Sequence, residues 1–132
     1  MSFDRVLAIH AVLAAGFGLS LLFAPVQTGA IYGMSADPGL TYLARLLGSA
    51  FLAFAGITWL MRGCANAQAV RAVSTGFAIG SLAGLVTAGH SVLTGTTNVM
   101  TWSTVAIYAF LVIGYGKHAL AQNASQIARS PG

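Results

Sequence analysis

Few side chains in this sequence can ligate, protonate or attack anything: three histidines (His10, His90, His118), one cysteine (Cys64), two aspartates (Asp4, Asp37) and no glutamate. A metal site, a pigment site or a proton relay must be built from these. His10, His90 and Arg45 lie inside long apolar runs. An ionisable side chain there is costly to bury in lipid and is a functional candidate by default.

Spacing removes most of the metal chemistry. His10 sits about one turn inside the first apolar run, and His90 about one turn from the far end of the third. At about 1.5 Å of rise per residue their depths differ by roughly 20 Å, whereas two imidazoles on one ion must each lie about 2 Å from it. They do not share an iron or a zinc, so no metal site is expected. His118 is the only partner His10 has for a single haem, and two haems need more axial histidines than the chain holds. A chlorophyll-type magnesium needs one imidazole. His90, on a face with Ala83, Thr87 and Thr94, and His10 are therefore the candidate cofactor ligands. The plainer role for His90 is a hydrogen bond at the membrane interface.

Arg45 lies one turn from Tyr42 and shares a face with Thr41, Gly48, Ser49 and Gly56. It can snorkel to phosphate headgroups, pair with Asp37 or hold an anion. His90, Asn98 and Trp102 fall at a similar depth, so Arg45, His90, Asn98 and Trp102 form a candidate polar or lipid site in the outer leaflet.

The elements that must position these residues follow from composition. Of 132 residues, 57% are hydrophobic and 6% charged, and the mean hydropathy is +0.81. A soluble domain carries about 25% charged residues. The balance excludes a soluble globule, a disordered chain and a nucleic-acid binder. A lone cysteine allows no intramolecular disulfide and no CxxC pair. Absent intramembrane carboxylates argue against proton-coupled exporters and metal-dependent lipid transferases, and no matched serine and base suggests a protease.

A hydrocarbon core about 30 Å thick needs about 20 apolar residues of helix. Four segments qualify, at about 6–24, 43–61, 72–93 and 99–115, and 119–132 reads as a polar tail. The fold class expected is all-α, an integral membrane four-helix bundle with short connections. Pro25 ends the first span, and a short interfacial helix is expected between Pro25 and Gly33. Asp37-Pro38 reads as an N-cap and first helical residue, and Asn66 and Asn98 read as further N-caps. Arg5, Arg62, Arg71, Lys117 and Arg129 all fall on one side, which predicts cytoplasmic termini in a bacterial inner membrane. Tyr32, Tyr42 and Trp102 are expected at the outer interface, with Phe3, Trp59 and Tyr115 at the inner one.

Small residues drive helix association in lipid. Ala72, Gly76, Gly80, Gly84 and Ala88, at a strict spacing of four, predict that the third span makes the tightest contact, with a neighbouring helix or a partner. Leu22-Phe23-Ala24-Pro25, Tyr32-Gly33, Leu43-Ala44-Arg45-Leu46-Leu47-Gly48 and Trp59-Leu60-Met61-Arg62 resemble motifs of small uncharacterised four-helix bacterial membrane proteins. The resemblance covers the first half of the chain, and its motifs concern packing rather than activity. The expected function is a non-catalytic accessory or assembly subunit of a membrane complex, bound to other subunits or to itself. A small oligomeric channel or transporter, or a cofactor- or pigment-binding protein, are the alternatives.

Overall fold

A computed structural model describes residues 1–127. It contains five helices: α1 (Phe3–Phe23), α2 (Pro25–Ile31), α3 (Pro38–Leu60), α4 (Ala67–Leu93) and α5 (Thr101–Ile127). No strand occurs among the described residues. Four of the helices are long and apolar enough to cross a membrane, and the chain is a multi-pass membrane protein. The short α2 is the expected helix after Pro25.

Local chemistry sets the helix ends. Asp37 Oδ1 accepts the Leu40 amide at 2.9 Å and Asn66 Oδ1 accepts that of Ala69 at 3.0 Å, so each satisfies a donor that the first turn leaves free. Asn98 behaves differently. Its Oδ1 accepts the Met100 amide, but α5 begins only at Thr101. At the other ends α2 and α4 stop alike. Gly33 and Gly95 take φ of +77° and +65°, and the residue after each donates back to a carbonyl five positions earlier, Met34 to Gly29 and Thr96 to Ser91. Only glycine enters that left-handed cap without steric cost.

The long helices stand in the spatial order α3–α1–α5–α4. α1 packs along α3, α4 along α5, and α1 meets α5 in the middle; among the described residues no backbone contact joins α3 to α4 or to α5. Chain neighbours α3 and α4 are therefore the two ends of the row. Ring contacts curl it. Phe54 of α3 meets Phe77 of α4 edge-on at 5.7 Å, and Phe77 stacks on Tyr115 of α5 at 5.2 Å. The core, Val6, Leu7, Leu111 and Tyr115, lies where α1 crosses α5.

Both ends of the bundle are latched through side chains. Asp4 Oδ1 accepts the Gly63 amide at 2.9 Å, tying the start of α1 to the α3–α4 connection. Asn98 Nδ2 donates to Ile31 O at 2.8 Å, tying the α4–α5 connection to α2.

Several expectations change. α5 does not end near Tyr115 but continues to Ile127, with Ala119 still buried; of the tail read at 119–132, only 128–132 lie outside the described residues. Tyr115 is fully buried. Its hydroxyl has a partner inside the bundle, so burying it leaves no polar group unsatisfied. Trp59 does lie exposed, with the Arg62 guanidinium 4.4 Å from its ring centroid.

Candidate functional site

α1 and α3 approach each other backbone to backbone. A Cβ built on Gly48 would stand 2.8 Å from Gly18 O and 2.9 Å from Leu22 N, and one on Gly18 would stand 3.0 Å from Gly48 O. These two glycines let the backbones touch.

The stripe on α4 cannot do the same, for a geometric reason. A helix turns about 100° per residue, so each step of four advances about 40° and the run from residue 72 to 88 winds through about 160°. Its two ends face different surroundings. Ala88 is buried, and a Cβ at Gly84 would run into the Tyr108 ring of α5. Gly76 and Gly80 have nothing within 4 Å of a built Cβ, and Ala72 is exposed. The face of α4 that packs carries Val70, Ser74, Ser81 and Ala88, of which only Ala88 belongs to the stripe. These steps of four and seven follow a heptad-like seam and keep to one side.

Gly76 and Gly80 open into a cavity of about 420 Å³ bounded by all four long helices. α1 contributes His10, Leu13, Ala14 and Phe17; α3 contributes Phe51, Phe54 and Ile57. α4 adds Gly76, Phe77, Gly80 and Ser81, and α5 adds Thr104, Ile107, Tyr108 and Leu111. The walls are apolar and largely aromatic. Gly80 has no side chain to fill the space, and the gap between α3 and α4, whose backbones do not meet, leaves the cavity open to the side. Phe54, Ile57, Gly76 and Gly80 form the exposed lips of that gap.

His10 is a buried polar residue of its lining. Only 6% of the residue is exposed, and its Nδ1 lies 2.7 Å from the hydroxyl of the fully buried Tyr115. The imidazole also meets Phe77 edge-on at 4.7 Å. An aromatic chain runs on from it: Phe17, Phe51, Phe54, Phe77, Tyr115, Phe3 and His118 follow ring to ring across the bundle.

The sequence had offered His10 as a cofactor ligand, and it is the one candidate that lines the cavity. His90 is exposed on α4, away from it. Arg45 and Trp102 are exposed as well, and Asn98 is engaged with Ile31 and Met100. Arg45 makes no ion pair with Asp37 among the described residues. It stands on α3, which has no backbone contact with the helix carrying His90 or the one carrying Trp102. Among the described residues no hydrogen bond joins any two of these four residues. No cluster of metal-ligating side chains occurs among the described residues.

The sequence reading missed Tyr115, Phe77 and the aromatic walls. A signal was present: Phe77 and Tyr115 lie on the packed seams of their helices, and a tyrosine facing inward in lipid needs a hydrogen-bond partner, which His10 is one of few residues able to supply. Fold and site together define a four-helix membrane bundle with an apolar cavity open to the side. No protein-family model, curated protein or solved structure matches the chain.

Proposed function

We propose that this protein is a non-catalytic membrane subunit that takes up an uncharged lipophilic molecule from the bilayer through the gap between α3 and α4. The observation that carries the reading is the cavity of about 420 Å³ walled by all four long helices. Small-molecule sites have volumes of about 300–1,000 Å³ and are apolar with a few placed polar groups. Catalysis would need a base, nucleophile or metal arranged around the bound molecule; the lining offers one histidine hydrogen-bonded to a tyrosine, with the hydroxyls of Ser81, Thr104 and Tyr108. A channel would need a continuous polar path, which such walls do not supply.

The place of the subunit in a larger assembly rests on a second observation. Gly16 and Gly56 also lie within spans and meet nothing within 4 Å of a built Cβ. Each interior glycine costs about 1 kcal/mol of helix propensity relative to alanine. Close approach of another helix, from a partner or a second copy, offsets that cost. The excess of Lys and Arg on one side supports cytoplasmic termini, and with them a bacterial inner membrane.

Binding of 2-ethylnaphthalene, a flat hydrocarbon probe, to the detergent-solubilised protein tests the uptake. The expected result is saturable binding at one site per chain, lost in Gly80→Leu, whose side chain fills the cavity. Absence of saturable binding, or equal binding by a folded Gly80→Leu variant, overturns it.

A further inference from the structure

Among the polar groups of the cavity lining, His10 is the one held in a buried interhelical hydrogen bond, which gives it a defined hydrogen-bonding sense. Tyr115 is fully buried on α5, and His10 Nδ1, at 2.7 Å, is the only hydrogen-bond partner of its hydroxyl among the described residues. A phenol in such a place donates its proton, because an undonated O–H inside the bundle forfeits a hydrogen bond that nothing else restores. Nδ1 is then the acceptor. A neutral imidazole that accepts at Nδ1 carries its proton at Nε2. No protein group among the described residues takes a hydrogen bond from Nε2. Nor is Nε2 one of the enclosed polar atoms left without partners, which are Ser74 Oγ, Thr97 Oγ1 and Thr101 Oγ1. It belongs to a residue that lines the cavity.

We propose, resting on the uptake reading above, that His10 presents a fixed N–H donor to the cavity, so that the ligand is a neutral flat-ring molecule carrying an acceptor oxygen of the aryl-ketone class. Each part of that description has its own warrant. Neutrality follows from the walls, which hold no charged side chain to repay the desolvation of an ion. Flatness follows from Phe17, Phe51, Phe54, Phe77 and Tyr108, whose rings offer stacked or edge-on contacts to another ring. The acceptor follows from the sense of the His10–Tyr115 bond. At His10 a ligand that brought a donor alone would leave two N–H or O–H groups facing each other. Tyr115 acts as a positioning residue: it does not reach the ligand but sets which imidazole nitrogen bears the proton, as an outer partner does for a ligating histidine.

A matched pair of probes tests this, 2-acetylnaphthalene and 2-ethylnaphthalene, which share size and flatness and differ in a carbonyl against a methylene. Affinities are measured on the detergent-solubilised full chain and expressed as mole fraction in the micelle, so that partitioning cancels. The wild type is expected to prefer the ketone about fivefold to tenfold, as one hydrogen bond of about 1 kcal/mol allows. His10→Phe is expected to bind both probes with no preference. Tyr115→Phe is expected to retain binding of the hydrocarbon while the preference falls by up to about twofold, because the proton is then free to sit on either nitrogen. In ¹⁵N spectra of histidine-labelled protein, the wild type is expected to show protonated Nε2 and bare Nδ1. Equal affinity of the wild type for the two probes, or a proton on Nδ1, overturns the proposal while leaving uptake intact. Failure of the wild type to bind either probe overturns uptake itself. Should His10→Phe not fold, the wild-type preference, the spectrum and Tyr115→Phe still decide.

Discussion

Gly18 and Gly48 face each other across α1 and α3 at backbone contact, with room for no further carbon on either: a methyl on Gly48 would lie 2.8 Å from Gly18 O. The obstacle is main chain, which cannot rotate away as a side-chain tip can. Gly48→Ala is therefore expected to push the helices apart and lower stability, although alanine is the better helix former by about 1 kcal/mol. Within a single chain, Gly56→Ala, whose new methyl meets nothing within 4 Å, is expected to be neutral or slightly stabilising. Unfolding of the two variants in detergent checks the contrast. A Gly48→Ala protein as stable as Gly56→Ala would show that the contact is slack.

Tyr115 and His10 join the two halves of the row by a buried hydrogen bond of 2.7 Å. Interhelical hydrogen bonds in membrane proteins contribute about 0.6 kcal/mol on average and up to about 1.7. Tyr115→Phe keeps the ring stack on Phe77 and removes only the bond, so a loss in that range is expected. Tyr108→Phe is the control, since the Tyr108 hydroxyl has no hydrogen-bond partner among the described residues. Its measured loss should be smaller.

Cys64 lies in the α3–α4 connection and is partly exposed. As the only cysteine in the chain, it reports sidedness without engineering. If Lys and Arg set the orientation, a membrane-impermeant maleimide should label inverted vesicles and spare intact spheroplasts. A Cys64→Ser, Ser35→Cys variant should show the opposite pattern. Labelling of Cys64 from outside would reverse the assigned topology.

The two end latches should not be equal. Asp4 holds one amide, that of Gly63, at an exposed end, and Asp4→Ala should cost about 0.5–1.5 kcal/mol. Asn98 makes two bonds, to Ile31 O and from the Met100 amide, and packs its side chain beside Gly33. Asn98→Ala should cost more, and hydrogen exchange should quicken in both α2 and the α4–α5 connection.

What could be read from the sequence was what depends on local chemistry and on the bilayer. The number of spans, the short helix after Pro25 and the caps at Asp37 and Asn66 are set by apolar length and by side chains within three or four residues. The helix neighbours were not legible in the same way. Gly, Ala and Leu recur on every face of these helices, so Gly16 and Gly18 look alike in sequence, yet one meets nothing within 4 Å and the other meets Gly48. The α4 stripe misled because a spacing of four suggests a straight line where the helix winds it through a wide arc. His10 was singled out because it is ionisable; its partner Tyr115 was assigned to the interface, because a tyrosine near a span end has that placement by default. Only the crossing of α1 with α5, set by packing between residues more than a hundred positions apart, brings the pair together.

The spatial order α3–α1–α5–α4 also bears on how the chain is built. Each long helix that leaves the translocon early finds its main neighbour within its own half: α3 closes on α1 before α4 has been made, and α4 waits only for α5. The two halves are thus expected to form as separate units, joined covalently by the short segment that holds Cys64 and held face to face by His10, Tyr115, Phe54 and Phe77. A gene split at that segment and expressed as two polypeptides should yield a reconstituted bundle that co-purifies.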